Sequence, residues 1–110
     1  MDIRGKTALI TGAGSGIGRA TAVALAQKGA RRVWLLDREE AGARETAQKL
    51  QALGCEGLVR AFDITDFAKL EAAFAEAETE GGLDIVFNNA GMVVGLKVFP
   101  NTRPEKVQAI

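Results

Sequence analysis

Thr11-Gly12-Ala13-Gly14-Ser15-Gly16-Ile17-Gly18 places four glycines within seven residues, between an apolar run and an amphipathic one. Glycine has no Cβ, reaches positive φ and lets another group come close to the backbone. Ahead of the stretch, Thr7-Ala8-Leu9-Ile10 reads as a strand. Behind it, Ile17, Ala20, Thr21, Ala24, Leu25 and Lys28 recur at helical spacing as the stripe of an amphipathic helix with a charged end. The glycines therefore occupy a strand-to-helix turn, unlike those of a flexible linker. At such a helix start the first N–H groups lack partners and the macrodipole adds positive charge, which suits an anion such as a pyrophosphate.

Spacing separates the known phosphate loops. A G-x-G-x-x-G fingerprint begun at Gly12 and Gly14 needs glycine where Ile17 stands. Gly5-Lys6-Thr7 has the ending of a P-loop, but its first glycine would precede residue 1. Gly12, Gly16 and Gly18 instead make G-x-x-x-G-x-G, preceded by Thr11.

Composition narrows the class. The 110 residues suffice for one domain, taken as residues 1–110, and 47% hydrophobic with 25% charged residues is the make-up of a soluble globular chain. Fourteen basic and fourteen acidic side chains cancel, which argues against nucleic acid or an anionic membrane as partner. Met1-Asp2-Ile3-Arg4-Gly5-Lys6 leads straight into a strand without a signal sequence, so a cytoplasmic location is expected. Cys55 is the only cysteine and reads as a small apolar filler beside Gly54. There is no histidine and no tyrosine, and the only serine is Ser15, so a histidine metal site, a Ser-His triad and a tyrosine acid/base are all excluded. No metal site and no catalytic residue is assigned.

Further along, Gly29 is a left-handed helix stop. Val33-Trp34-Leu35-Leu36 is a continuous apolar strand, covered on both faces and ending at Asp37. Glu39 to Leu53 predicts a helix with Ala43, Thr46, Ala47, Leu50 and Leu53 on one face, stopped by Gly54. Leu58 to Phe62 is a more alternating strand suited to a sheet edge, followed by Asp63. Asp66 caps a helix whose apolar face is Phe67, Leu70, Phe74 and Ala77. Leu83 to Phe87 is a fourth strand, followed by Asn88-Asn89-Ala90-Gly91. Met92 to Phe99 reads as an extended loop, and Thr102 with Glu105 has capping-box spacing, so a helix is expected to begin there. Strands alternating with helices predict an α/β fold: a Rossmann-type doubly wound parallel sheet in its N-terminal half only, βαβαβαβ plus the start of the next helix, with spatial order 3-2-1-4.

In such a sheet the ligand lies outside the carboxyl ends of the strands, and here these ends carry Thr11-Gly12, Asp37, Asp63 and Asn88-Asn89. Asp37 lies about 20 positions beyond Gly18, the spacing at which a carboxylate accepts from an adenosine ribose and would repel a 2′-phosphate. Arg38 is the contrary signal, since a guanidinium there can receive a phosphate. NAD is favoured over NADP. Asp63 sits in Asp63-Ile64-Thr65-Asp66 and reads equally as a turn residue. The amides of Asn88 and Asn89 both donate and accept, while Ala90 and Gly91 let a ligand lie on the backbone.

Thr11 to Gly18 together with Asn88-Asn89-Ala90-Gly91 resembles the short-chain dehydrogenase/reductase family, over essentially the whole chain. The resemblance implies an NAD-dependent oxidoreductase exchanging hydride between a nicotinamide and an alcohol or carbonyl. It places Gly12, Ser15, Gly16, Ile17 and Gly18 at the phosphates, Asp37 at the ribose, Asp63 and Ile64 at adenine, and Asn89, Ala90 and Gly91 along the cofactor. The family's catalytic Asn, Ser, Tyr and Lys come later in the chain, and this sequence has no tyrosine at all. Its last residues, Glu105 to Ile110, resemble the helix leading to the catalytic asparagine. The expectation is a truncated cofactor-binding part, inactive alone, with a small-molecule substrate only in the complete enzyme. The family's sheet continues beyond strand four, so Ile85, Val86 and Phe87 would form an open edge here and favour self-association, whereas the complete enzyme would be a homo-oligomer. Two other classes stay open: a non-catalytic nucleotide-binding or regulatory module, and a methyltransferase-like half that binds its methyl donor's adenosine with the same elements.

Overall fold

The computed structural model describes residues 1–90 and the backbone of Gln108–Ala109. In chain order the elements are β1 (Thr7–Thr11), α1 (Gly16–Gln27), β2 (Arg32–Asp37), α2 (Glu40–Ala52), β3 (Glu56–Ala61), α3 (Phe67–Thr79), β4 (Ile85–Asn88) and β5 (Gln108–Ala109). The strands form one parallel sheet in the order β3-β2-β1-β4-β5, which contains the expected 3-2-1-4.

Strand periodicity divides the core into two layers. On one face Ala8 and Ile10 of β1 with Val33 and Leu35 of β2 meet Ala22, Leu25 and Ala26 of α1 and Leu50 of α2. On the other, Leu9, Trp34 and Leu36 meet Leu70, Ala73, Phe74 and Ala77 of α3. Both faces of β1 and β2 are covered, so all five residues of β1 are buried and their sequence is continuously apolar apart from its threonines. β3 lies on the sheet edge, as its weaker apolarity suggests, although its four central residues are all half-buried and do not alternate.

Each helix stops where a backbone turn satisfies its last carbonyls. At the end of α1, Gly29 adopts φ 94°, its N–H donates to the Ala26 carbonyl, and the Ala30 N–H reaches back to Leu25. That is the paired bonding of a left-handed glycine cap. Asp66 caps α3 by accepting from the Lys69 N–H at 3.3 Å.

Four expectations are corrected. The stripe Ile17, Ala20, Thr21, Ala24, Leu25 and Lys28 does not face the core as a whole: of that set only Leu25 is buried, and the inward face of α1 is Gly18, Ala22, Leu25 and Ala26. Small residues let α1 lie close to the sheet, and an alanine-rich helix offers two stripes of similar polarity. On α3, Phe67 is 47% exposed and Ala73 takes a place in the core instead. The β4 edge is not open at Ile85 and Val86, because these pair with Gln108 and Ala109. Those last two residues are strand where a helix was expected, since an apolar sheet edge offers an extended segment a full set of backbone partners. The expected loop from Met92 to Phe99 and the cap at Thr102 lie outside the described residues.

An ion pair ties the β3 edge to α3. The Arg60 guanidinium takes Glu76 in both carboxylate oxygens, at 2.8 and 2.5 Å, and lies 5.1 Å from the centre of the Trp34 ring. The hydrogen bonds from Arg60 hold the Glu76 carboxyl below its usual value of 4.5. A depressed carboxyl stabilises the fold above its unfolded value and loses that contribution as pH falls through the lower folded value. Urea melts at a series of pH values will therefore show wild-type stability declining below about pH 4.5. Glu76→Gln will flatten that part of the decline and leave the rest. In the core, Leu50→Ala will cost about 2–5 kcal/mol in the same melts, because the side chain is fully buried between α2 and the sheet.

Candidate nucleotide site

The carboxyl ends of β1, β2 and β4 are brought level by the register, with Thr11 opposite both Leu36 and Asn88. Thr11 joins the ends of β1 and β4. Its hydroxyl donates to Asn88 Oδ1 at 2.8 Å and accepts from the Ala90 N–H at 3.1 Å. The Asn89 amide donates to the Gly12 carbonyl at 3.2 Å. The two asparagines thus stitch the fourth strand to the glycine turn, as amides at a strand end are suited to do.

Three of the four glycines of the turn have no room for a side chain. Gly12 has φ 66°, and a Cβ on it would meet Asn89 Nδ2 at 2.9 Å. A Cβ on Gly18 would overlap the Gly12 carbonyl, so α1 starts directly on the loop. A Cβ on Gly14 would lie 2.8 Å from Asp37 Oδ2 and 3.0 Å from the Ala43 nitrogen. The Ser15 residue caps α1 in extended conformation without a side-chain bond to the helix, and the first turn contains no acidic residue. The positive end of α1 therefore carries no acidic side chain or side-chain cap from its own first turn.

Asp37 is fixed at the end of β2 by two backbone donors. Gly14 N–H gives 2.7 Å to Oδ2 and Glu39 N–H gives 2.9 Å to Oδ1. Each oxygen keeps a lone pair for another donor. Asp63 accepts from the Thr65 N–H and hydroxyl at 3.0 and 2.9 Å. These bonds, with Arg38 nearby, hold its carboxyl below the usual range. Asp63 is thus a turn residue by its bonding and also faces the cleft.

A cleft of about 350 Å³ opens between these ends, lined by Gly12, Asp37, Arg38, Phe62, Asp63, Ile64, Thr65 and Ala90. Six of the residues singled out in the sequence line it; Ser15, Gly16, Ile17 and Gly18 do not, forming the cap and first turn of α1, where Ile17 lines a second groove. Asn89 is placed at the back of the turn by its bond to Gly12. Gly91 lies outside the described residues. Phe62 and Thr65 carry no site signal in the sequence: Phe62 reads as the apolar last residue of the expected third strand, whereas β3 ends at Ala61, and Thr65 reads only as turn chemistry. Also missed were Arg19, Gly42 and Thr46, which brace the loop from behind. Arg19 donates to the Gly14 carbonyl at 2.6 Å, the Gly42 carbonyl at 3.1 Å and Thr46 Oγ1 at 3.0 Å, while the Thr46 hydroxyl lies 2.8 Å from the Ala13 carbonyl. A larger groove, about 800 Å³, runs between Met1–Arg4 and the outward stripe of α1 from Ile17 to Lys28. Cys55 is buried and its thiol is pushed up by that burial, so it is not a reactive thiolate. Among the described residues no helix is long and apolar enough to cross a membrane, and no cluster of three or more His, Cys, Asp or Glu is placed to hold a metal.

A parallel sheet with this glycine turn, an acid closing β2 and an asparagine pair closing β4 defines a dehydrogenase class of dinucleotide fold. The short chain dehydrogenase family model matches residues 6–110, and the chain belongs to that family. It is 43% identical over 95 residues to an uncharacterized oxidoreductase of Thermotoga maritima, covering 84% of this chain and 36% of the relative. A sorbitol dehydrogenase of Cereibacter sphaeroides is 42% identical over 93 residues, covering 84% and 35%. Among solved structures, an NAD+-bound xylitol dehydrogenase matches with TM-score 0.77 and 31% identity over 84% of this chain and 35% of its own. A dehydrogenase from Burkholderia cenocepacia with bound NADP matches with TM-score 0.73 and 32% identity over 79% and 34%. The chain spans about a third of the length of these relatives.

The Gly18 contact gives a direct test. Gly18→Ala will force α1 off the Gly12 carbonyl and lower the melting temperature by several degrees, about 1–3 kcal/mol for an overpacked site. Calorimetry of the variant beside Gly16→Ala will separate crowding from backbone strain, because a Cβ on Gly16 meets nothing within 4 Å and its only penalty is φ 54°.

Proposed function

We propose that this chain is the cofactor-binding part of an NAD-dependent oxidoreductase that passes hydride between a nicotinamide and an alcohol or carbonyl. Residues 1–110 are read as one dinucleotide-binding domain, incomplete at its C-terminal side. The observation that carries the proposal is Asp37: a carboxylate held by two backbone N–H groups at the rim of the cleft, next to the glycine turn. A dinucleotide fits the residues present: a cleft of about 350 Å³ lies at the strand ends beside Asp37, and Gly16 at the start of α1 has open space where a Cβ would stand.

In this reading the N–H groups at Ser15, Gly16, Ile17 and Gly18 take the pyrophosphate, with Gly12 giving the close approach. The free lone pairs of Asp37 accept the ribose hydroxyls, and Arg38 flanks them. Asp63 and Ile64 border the adenine, and Asn89, Ala90 and Gly91 run along the nicotinamide half. When bound, the nicotinamide supplies or accepts the hydride. The chain's own residues bind and orient it; with no tyrosine anywhere in the sequence, the proton transfer of a Ser-Tyr-Lys set has no donor here, and the 110 residues bind without turnover. Family relatives are found with NAD+ and with NADP, so the charge at Asp37 supports the choice of NAD. The complete enzyme takes a small alcohol or carbonyl substrate, works as a homo-oligomer in the cytoplasm, and uses neither nucleic acid nor a membrane.

Isothermal titration with NAD and NADP tests the reading. NAD is expected to bind about 10-fold or more tightly than NADP, the scale of one unfavourable charge contact. Asp37→Ser is expected to narrow or reverse that ratio by removing the repulsion of a 2′-phosphate while Arg38 remains. A folded sample that binds neither dinucleotide removes the proposal, and equal binding of both by the wild type removes its NAD preference.

A further inference from the structure

The glycine loop is braced from α2, and the brace acts on two successive peptide groups. The peptide joining Ala13 to Gly14 has its carbonyl on the Thr46 hydroxyl at 2.8 Å and its N–H on Asp37 Oδ2 at 2.7 Å. The peptide joining Gly14 to Ser15 has its carbonyl on Arg19 Nη2 at 2.6 Å. A trans peptide is planar with carbonyl and N–H on opposite sides, so anchoring the oxygen aims the hydrogen. The Ser15 N–H therefore points away from Arg19, and among the described residues it has no acceptor.

Three further contacts make the brace specific. Arg19 Nε donates to Thr46 Oγ1 at 3.0 Å and Nη2 also reaches the Gly42 carbonyl at 3.1 Å, so one guanidinium spans the loop and α2. Thr46 is fully buried, and its single hydroxyl proton is used by the shorter bond, to Ala13. Gly42 is in direct contact with the loop, since a Cβ there would stand 2.6 Å from the Gly14 carbonyl.

We infer that Arg19 and Thr46 are positioning residues that set the two peptide planes of the glycine loop, Thr46 directing the Gly14 N–H to Asp37 and Arg19 directing the Ser15 N–H to the pyrophosphate. The inference rests on the dinucleotide reading above for its ligand and on the observed hydrogen bonds for the planes. Lysine cannot replace Arg19, because a single ammonium does not reach three acceptors held in a planar fork.

Two measurements decide it. Affinities for NAD, ADP-ribose and adenosine, paired with melting temperatures, separate positioning from stability. Arg19→Lys will weaken NAD and ADP-ribose by about 10-fold and change adenosine, which has no pyrophosphate, by less than about 2-fold. Thr46→Val will weaken all three, because Asp37 loses its oriented N–H, and Thr46→Ser, which keeps the hydroxyl, will restore them. Independently of any ligand, amide hydrogen exchange at Gly14 will speed up by about 10-fold in Thr46→Val and not in Thr46→Ser. Equal loss of NAD and adenosine binding in Arg19→Lys, or unchanged NAD affinity in that variant, overturns the role of Arg19. Unchanged Gly14 exchange in Thr46→Val overturns that of Thr46. Wild-type chain that binds none of the three ligands removes the dinucleotide reading and the ligand half of the inference with it, while the exchange result still decides whether Thr46 sets its peptide plane.

Discussion

The first turn of α1 rests on the Gly12 carbonyl with no space for a methyl group between them. That contact constrains most of what surrounds it. It sets how closely α1 approaches the sheet, and so why Gly18, Ala22 and Ala26 face inward where larger side chains would hold the helix off. It leaves Gly12 with a positive φ and its carbonyl free to accept from Asn89, which in turn fixes the end of β4 beside that of β1. A loop of bare backbone is thereby held rigid by its neighbours, although glycine on its own is the least restrained residue.

The cleft is formed by charges and dipoles that were each fixed before any ligand arrives. Asp37 is held by two backbone donors, Asp63 by a threonine, and the loop by an arginine and a threonine from the far side. Preorganisation of this kind reduces the ordering that binding would otherwise require. It also holds the Asp37 carboxylate against the Gly14 N–H, one residue before the Ser15 cap of α1, so a negative group and a positive helix end stand close together.

What could be read from the sequence depended on how local each constraint is. The glycine turn, the acid after β2, the cap at Asp66 and the order of strands and helices follow from neighbours a few residues apart, and the structure has them where the pattern puts them. The inward face of α1 was misread because alanines on both sides of that helix blur its polarity. Ending β4 at Asn88 instead of Phe87, and pairing it with Gln108 and Ala109, depends on a strand partner distant in sequence. The brace of Arg19, Gly42 and Thr46 was likewise invisible: the two sides lie more than twenty residues apart, and a threonine in mid-helix carries no signal until the loop it touches is in place.

Trp34 is the chain's single tryptophan, and there is no tyrosine. It is buried on the α3 face of β2, its indole N–H has no partner among the described residues, and Arg60 lies over its ring. Indole emission from this chain therefore comes from one ring in one of the two core layers. Fluorescence follows the packing of α3 and the Arg60–Glu76 pair. It is nearly blind to α1 and α2, on the opposite side of the sheet, where the loop is braced. An optical melt of this chain consequently reports one core layer, whereas a calorimetric melt reports the whole fold.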